Sequence, residues 1–242
     1  MKKSLKGKKI ALVGLGLTFS DFILSKMRSE EYDETWVINS MSGIIYHDRV
    51  FMMDPPSRFL DDIKAGKQTK IMQKILKTHK GPIYSCEKDK RCPGVVEYPL
   101  EEVITTTGLA YLNNTTAYAI AFAVANEVGS LHIFGIDFSY QKTPHFAEAG
   151  RACCEFWVAT GIAKGMKIEV AHHSPFLDTN VPPEQKLYGY HRLKDPLVVS
   201  TENSSLLVSK KSLLPPEPLD DKQKYFVWGR EDIKGFTYDE NK

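Results

Sequence analysis

The chain has 242 residues, 42% hydrophobic and 26% charged, with a net charge of +2. That size and balance suit one large α/β domain with or without an appendage, and they supply no global field to recruit nucleic acid. No apolar run reaches the roughly 18 residues that span a membrane. The lysine-rich opening MKKSLKGKK lacks the apolar segment of a secretory signal, so a cytoplasmic protein is expected.

Apolar runs alternate with helical spacing along the chain. KIALVGLG (9–16) reads as a buried strand meeting a glycine turn, and LTFSDFILSKMRS after it as a helix. TWVINS (35–40) and RVFMMD (49–54) are the next strands. The stretch 57–80 predicts an exposed helical segment broken near Gly66, and PIYSC (82–86) and GVVEYPL (94–100) predict short strands. TTAYAIAFAVANEVG is apolar on nearly every face, which predicts a buried helix behind a sheet. LHIFGID is a central strand, HFAEAGRACCEFWVATGIAKG a helix ended by Gly165, and MKIEVA (166–171) a last strand. This order predicts an α/β fold with a doubly wound, mostly parallel, Rossmann-like sheet and helices on both faces, over residues 1–178. From 179 to 242 the proline- and charge-rich sequence predicts an extended, irregular tail that packs on the domain or on a partner subunit, a route to a homo-oligomer.

Open parallel sheets bind ligands at the carboxyl ends of their strands, so strand-end residues are the candidates. Gly14, Gly16 and Thr18 form a turn whose backbone can approach a phosphate at a helix N-terminus. Asn39 and Ser40 end the second strand and Asp54 the third, with side chains that suit ribose or base hydrogen bonding, or a cap or turn. Asn113, Asn114, Thr115 and Thr116 open the apolar helix, where one must be the N-cap and the dipole favours an anion. Gly135, Ile136 and Asp137 end the central strand. Thr143-Pro144-His145 reads as N-cap, N1 and N2, which puts His145 at a helix N-terminus as a candidate general base, with Glu148 one turn on to orient its ring. No metal site is expected: Cys86, Cys92, Cys153 and Cys154 lack zinc spacing and read as reduced thiols, although a Cys86–Cys92 disulfide stays open. His172 and His173 are adjacent without further ligands, and His132 reads as a satisfied core residue.

Gly-x-Gly after strand one, asparagine after strand two, Asn-Thr-Thr-Ala-Tyr opening a small-residue helix, and Ile-Phe-Gly-Ile-Asp-Phe before a helix that starts near a histidine form one pattern. It resembles the Rossmann-like proteins of bacteriophage genomes, and is similar to bacterial sialyltransferases that use CMP-sugars and to the domain of archaeal pterin pyrophosphokinases and flagellin-modification accessory proteins. The resemblance covers about residues 8–178. It implies Gly14, Gly16 and Thr18 around a nucleotide phosphate or ribose, Asn39 at the sugar–phosphate, Asn114 and Thr115 on the donor, Gly135, Ile136 and Asp137 at the base, and His145 as general base. Gly-Leu-Gly-Leu-Thr stands where the sialyltransferases have Gly-Asn-Gly-Pro-Ser, which shifts the expected donor from CMP-sialic acid to another nucleotide or nucleotide-sugar. The expected activity is a metal-independent, inverting glycosyltransferase that uses no cofactor beyond its nucleotide-sugar donor. Its acceptor would be a hydroxymethylated DNA base or the nucleotide precursor. Two other readings share the fold: an ATP- and Mg²⁺-dependent pyrophosphoryl transfer, with Asp54 and Asp137 on the metal, and a non-catalytic nucleotide-binding module.

Overall fold

A computed structural model describes residues 4–62, 64–139, 144–181, 186, 197–202 and 205–213. The chain divides into two units, residues 1–182 and residues 183–242. In the first, β1 (Lys9–Val13), β2 (Glu34–Ile38), β3 (Arg49–Phe51), β4 (Ile83–Ser85), β5 (Val95–Glu97), β6 (Ser130–Phe134) and β7 (Lys167–Val170) form one sheet. Its order is β5-β4-β3-β2-β1-β6-β7, and every pairing is parallel. Both faces must then be covered, which is why the strands are apolar at nearly every position rather than at alternate ones. The expected doubly wound, Rossmann-like arrangement is present.

Helices α1 (Phe19–Met27), α2 (Pro56–Leu60) and α3 (Thr69–Thr78) cover one face. Phe22, Phe59, Met72 and Leu76 from them meet Ala11, Val37 and Val50 of the sheet. Although 57–80 is rich in lysine, α3 buries Met72, Ile75 and Leu76, so this stretch is amphipathic rather than simply exposed. Helices α4 (Leu100–Thr107), α5 (Thr115–Ala125) and α6 (Pro144–Ala163) cover the other face. Alternate alanines 117, 119, 121 and 123 of α5 are all buried, and their small side chains let the helix lie against the sheet around Trp36, Phe51 and Phe122. Gly165 follows α6 in the left-handed conformation, as its place after the periodic run predicts.

Some boundaries differ from the sequence reading. β2 stops at Ile38, and Asn39 opens a 3-10 turn with φ +49°. β3 stops at Phe51, three residues short of Asp54. Leu100 belongs not to a strand but to α4, a helix the pattern did not reveal. In the second unit, β8 (Leu197–Glu202) and β9 (Ser205–Lys210) pair antiparallel and a 3-10 turn follows, so the expected irregular tail contains a hairpin. All four cysteines are free thiols. None of the described helices is long and apolar enough to cross a membrane.

One buried ion pair crosses the amino ends of β2 and β3. Arg49 donates twice to Glu34, at 2.6 and 3.1 Å, and the Trp36 indole donates to the same carboxylate at 2.8 Å. Burial pushes the Glu34 carboxyl up, but the Arg49 and Trp36 hydrogen bonds outweigh it and hold the group below its ordinary value. In the unfolded chain the carboxyl takes up its proton at a higher pH than in the fold. Its contribution to stability is therefore complete above about pH 4.3 and is lost as pH falls through the depressed folded value. Urea midpoints measured from pH 7 to 3 should fall more steeply for the parent than for Glu34→Gln, with the two curves converging at the acid end.

Candidate functional site

Chain order runs outward from β1 to β5, then returns to place β6 and β7 on the other side of β1. The switch point lies between β1 and β6, where two loops leave the carboxyl edge of the sheet: 14–18 and 135–139. They are joined to each other. The Gly14 amide donates to the Phe134 carbonyl at 2.8 Å, and the Gly16 amide to the Gly135 carbonyl at 2.7 Å. A Cβ on Gly14 would stand 2.4 Å from the Gly135 carbonyl oxygen, and one on Gly135 (φ +62°) 2.4 Å from that of Gly14. These glycines are required by the mutual approach of the loops, whatever ligand lies above them.

Asp137 completes the join. Its buried carboxylate accepts from the Thr18 amide at 3.0 Å, from the Thr18 hydroxyl, and from the Ser174 hydroxyl at 2.9 Å. Thr18 Oγ1 in turn accepts from the Gly135 amide at 3.0 Å. Thr18 precedes α1, yet its hydroxyl is spent on Asp137 instead of capping the helix. Thr18 and Asp137, both expected at the nucleotide, form a structural lock in which Thr18 is buried and Asp137 also lines the first lobe.

Above this floor lies a crevice with two lobes. One, of about 360 Å³, is lined by Gly14–Leu17, Gln68 and Gly135–Ser139. The other, of about 530 Å³, is lined by Asp54, Arg58, Asn113–Thr116, Tyr118 and Phe146. Ile38, Asn39, Thr116 and Phe138 belong to both lobes, so the two adjoin there. In the first lobe the amides of Leu15 and Leu17 have no hydrogen-bond partner among the described residues. In the second, Asn114 is the N-cap of α5 and accepts from the Ala117 amide at 3.1 Å. This leaves the Thr115 and Thr116 amides at the helix end without an intrahelical acceptor.

Most of the polar residues at this end of the domain are already committed. Asn113 donates to the Ala149 carbonyl and Asn114 to that of Gly150, at 3.0 and 3.1 Å, so the asparagine pair pins α5 to α6. Asp54 pairs with Arg58 one helical turn on. Ser40, also expected at the ligand, is buried and lines neither lobe. Asn39 is the exception: its Oδ1 is the one buried side-chain nitrogen or oxygen without a hydrogen-bond partner among the described residues.

The expected base lies outside both lobes. Pro144 does open α6, but Thr143 lies outside the described residues. The His145 side chain is 99% exposed and lies 3.7 Å from the exposed Glu148. Neither residue lines a lobe; the neighbouring Phe146 does. Arg58, Gln68, Phe138 and Ser174 were missed as site residues. Of these only Arg58 was signalled, by its spacing of four from Asp54 at the start of a helix. Comparison with protein-family models and with curated proteins finds no match.

Proposed function

We propose that the switch-point crevice binds a nucleotide or nucleotide-sugar and that the protein transfers the glycosyl group to a hydroxyl acceptor, a hydroxymethylated base or its nucleotide precursor. The carrying observation is Asn39. Its side-chain oxygen is buried and unpartnered, its backbone is left-handed, and the residue lines both lobes where they meet. Such a group costs about 1–3 kcal/mol until it finds a donor, and strain of this kind collects at ligand sites. The lobe volumes are those of small-molecule sites. Phosphate would lie against the Thr115 and Thr116 amides, where helix N-termini hold anions, with Arg58 turning from Asp54 to meet it. The base would occupy the lobe beside Gly14–Leu17 and Gln68. His145 would act from the rim, on an acceptor arriving from solvent.

The pyrophosphoryl reading finds less support, because its two metal carboxylates are engaged, Asp137 by Thr18 and Ser174 and Asp54 by Arg58. The non-catalytic reading is favoured by one observation, the full exposure of His145.

Calorimetric titration with CMP-, UDP- and GDP-sugars, with and without EDTA, tests the proposal. One of them should bind independently of EDTA. Asn39→Gly keeps the backbone conformation and deletes the amide, so it should weaken that ligand about tenfold while leaving the free protein at least as stable. The binding claim fails if no nucleotide binds or if the glycine variant binds as the parent does. His145→Ala should lower turnover with donor affinity unchanged; unaltered turnover would remove the base and leave the binding module.

A further inference from the structure

The crevice leaves unused a second cluster, on the α1 face of the sheet and toward its amino end. His132, in the middle of β6, stands in register between Ala11 of β1 and Glu169 of β7. Its ring packs edge-on against Tyr32 at 5.3 Å, and its side chain is 5% exposed. As the sequence reading expects, His132 is a core residue, and its ring has a carboxylate partner. Nδ1 lies 3.1 Å from Glu169 Oε2 and 3.9 Å from Glu30 Oε1.

We propose that Glu30, His132 and Glu169 form a binding site for a divalent transition-metal ion, with Zn²⁺ as its reference occupant. One ligand atom from each residue can be chosen so that all lie within 4.8 Å of one another. Tetrahedral zinc with bonds near 2.0–2.1 Å holds its ligands about 3.3 Å apart, so the closure required is small. Glu169 can supply it, because its side chain is 69% exposed on an edge strand and can turn without disturbing the core. The three ligands come from three places, the loop before β2, β6 and β7, so the folded domain assembles the site; no run of sequence does. Imidazole with two carboxylates is a donor set for zinc, manganese or iron(II), and it discriminates against magnesium and calcium, which take oxygen ligands.

Charge agrees with this assignment. Lys9 Nζ sits 2.8 Å from Glu30 Oε1 and offsets one of the two carboxylates, which leaves one negative charge in excess beside a buried ring. Three protein ligands leave a fourth position open to water or to an anion, as at zinc sites that are not purely structural.

The test is metal binding to the full chain, measured by competition with a chromophoric chelator for Zn²⁺ and by visible absorption of the Co²⁺ form. The parent should take up one Zn²⁺ per chain and be indifferent to Mg²⁺. Glu169→Gln alters an exposed group, so folding is not at stake, and it should weaken Zn²⁺ by more than the about 10–100-fold that loss of an outer-shell partner costs. His132→Ala, checked for folding by circular dichroism, should abolish the tetrahedral Co²⁺ spectrum. Absence of stoichiometric Zn²⁺ uptake by the parent would overturn the proposal. So would uptake that both variants retain, since the ion would then sit elsewhere, for example on the free cysteines.

Discussion

Gly135→Ala is expected to be among the most damaging single-atom additions in the domain. Two independent costs fall on it. The residue has φ +62°, where an L side chain costs about 1–2 kcal/mol. The new methyl would also stand 2.4 Å from the Gly14 carbonyl oxygen, a backbone atom held by β1 that cannot swing aside. Overpacking of this kind adds about 1–3 kcal/mol. The two together amount to about 2–5 kcal/mol, or a fall in Tm of roughly 10 °C for a domain of this size. Gly108→Ala separates the terms: it too has positive φ (+75°), but its added Cβ meets nothing within 4 Å. Thermal melts should therefore show a loss of only about 1–2 kcal/mol there. Equal losses at the two positions would mean that the loops part easily and that their close approach is not a constraint.

Asp137→Ala should cost about as much through a different route. It strips the acceptor from three buried donors at once: the Thr18 amide, the Thr18 hydroxyl and the Ser174 hydroxyl. Each orphaned donor costs about 1–3 kcal/mol, with partial relief where a hydroxyl can turn or water can enter, so about 3–5 kcal/mol is expected. Asp137→Asn keeps the shape and can still accept from the hydroxyls through its carbonyl, but it presents an NH₂ to the Thr18 amide. It should lose about half as much. Chemical denaturation of the pair against the parent gives both numbers. An alanine variant within about 0.5 kcal/mol of the parent, as ordinary surface changes are, would show that the lock contributes nothing.

The parts of this fold that were readable in sequence are those in which local pattern and tertiary role coincide. The parallel strands are apolar throughout because both faces are covered, and α5 announces its burial by lacking any polar face. Asn114 caps α5 within the Asn-Asn-Thr-Thr cluster where a cap was required. α4 escaped notice because only Val103 of it is fully buried and its threonines are poor helix formers. The site was legible as a place rather than as a set of contacts. Strand ends located Gly14, Asn39, Asp54 and Asp137 correctly at one edge of the sheet. Nothing local could say that Asp137 would be satisfied by Thr18, 119 residues away. Nor could the order Thr-Pro-His, which starts a helix, fix the direction in which its histidine points. His132 shows the converse: a strand pattern predicts burial but not the two glutamates that neighbouring chain segments bring to its ring.

Three consecutive pieces of the sheet edge meet at Asp137: the loop after β1, the loop after β6, and Ser174 beyond β7. The crevice floor is therefore preorganised by the protein's own bonds and does not wait for a ligand to order it. Entry of a proposed ligand would freeze few additional backbone torsions, so its affinity would be governed by the walls, Asn39, Arg58 and the end of α5, while fraying of the edge strand β7 would loosen a crevice floor that the strand itself does not line.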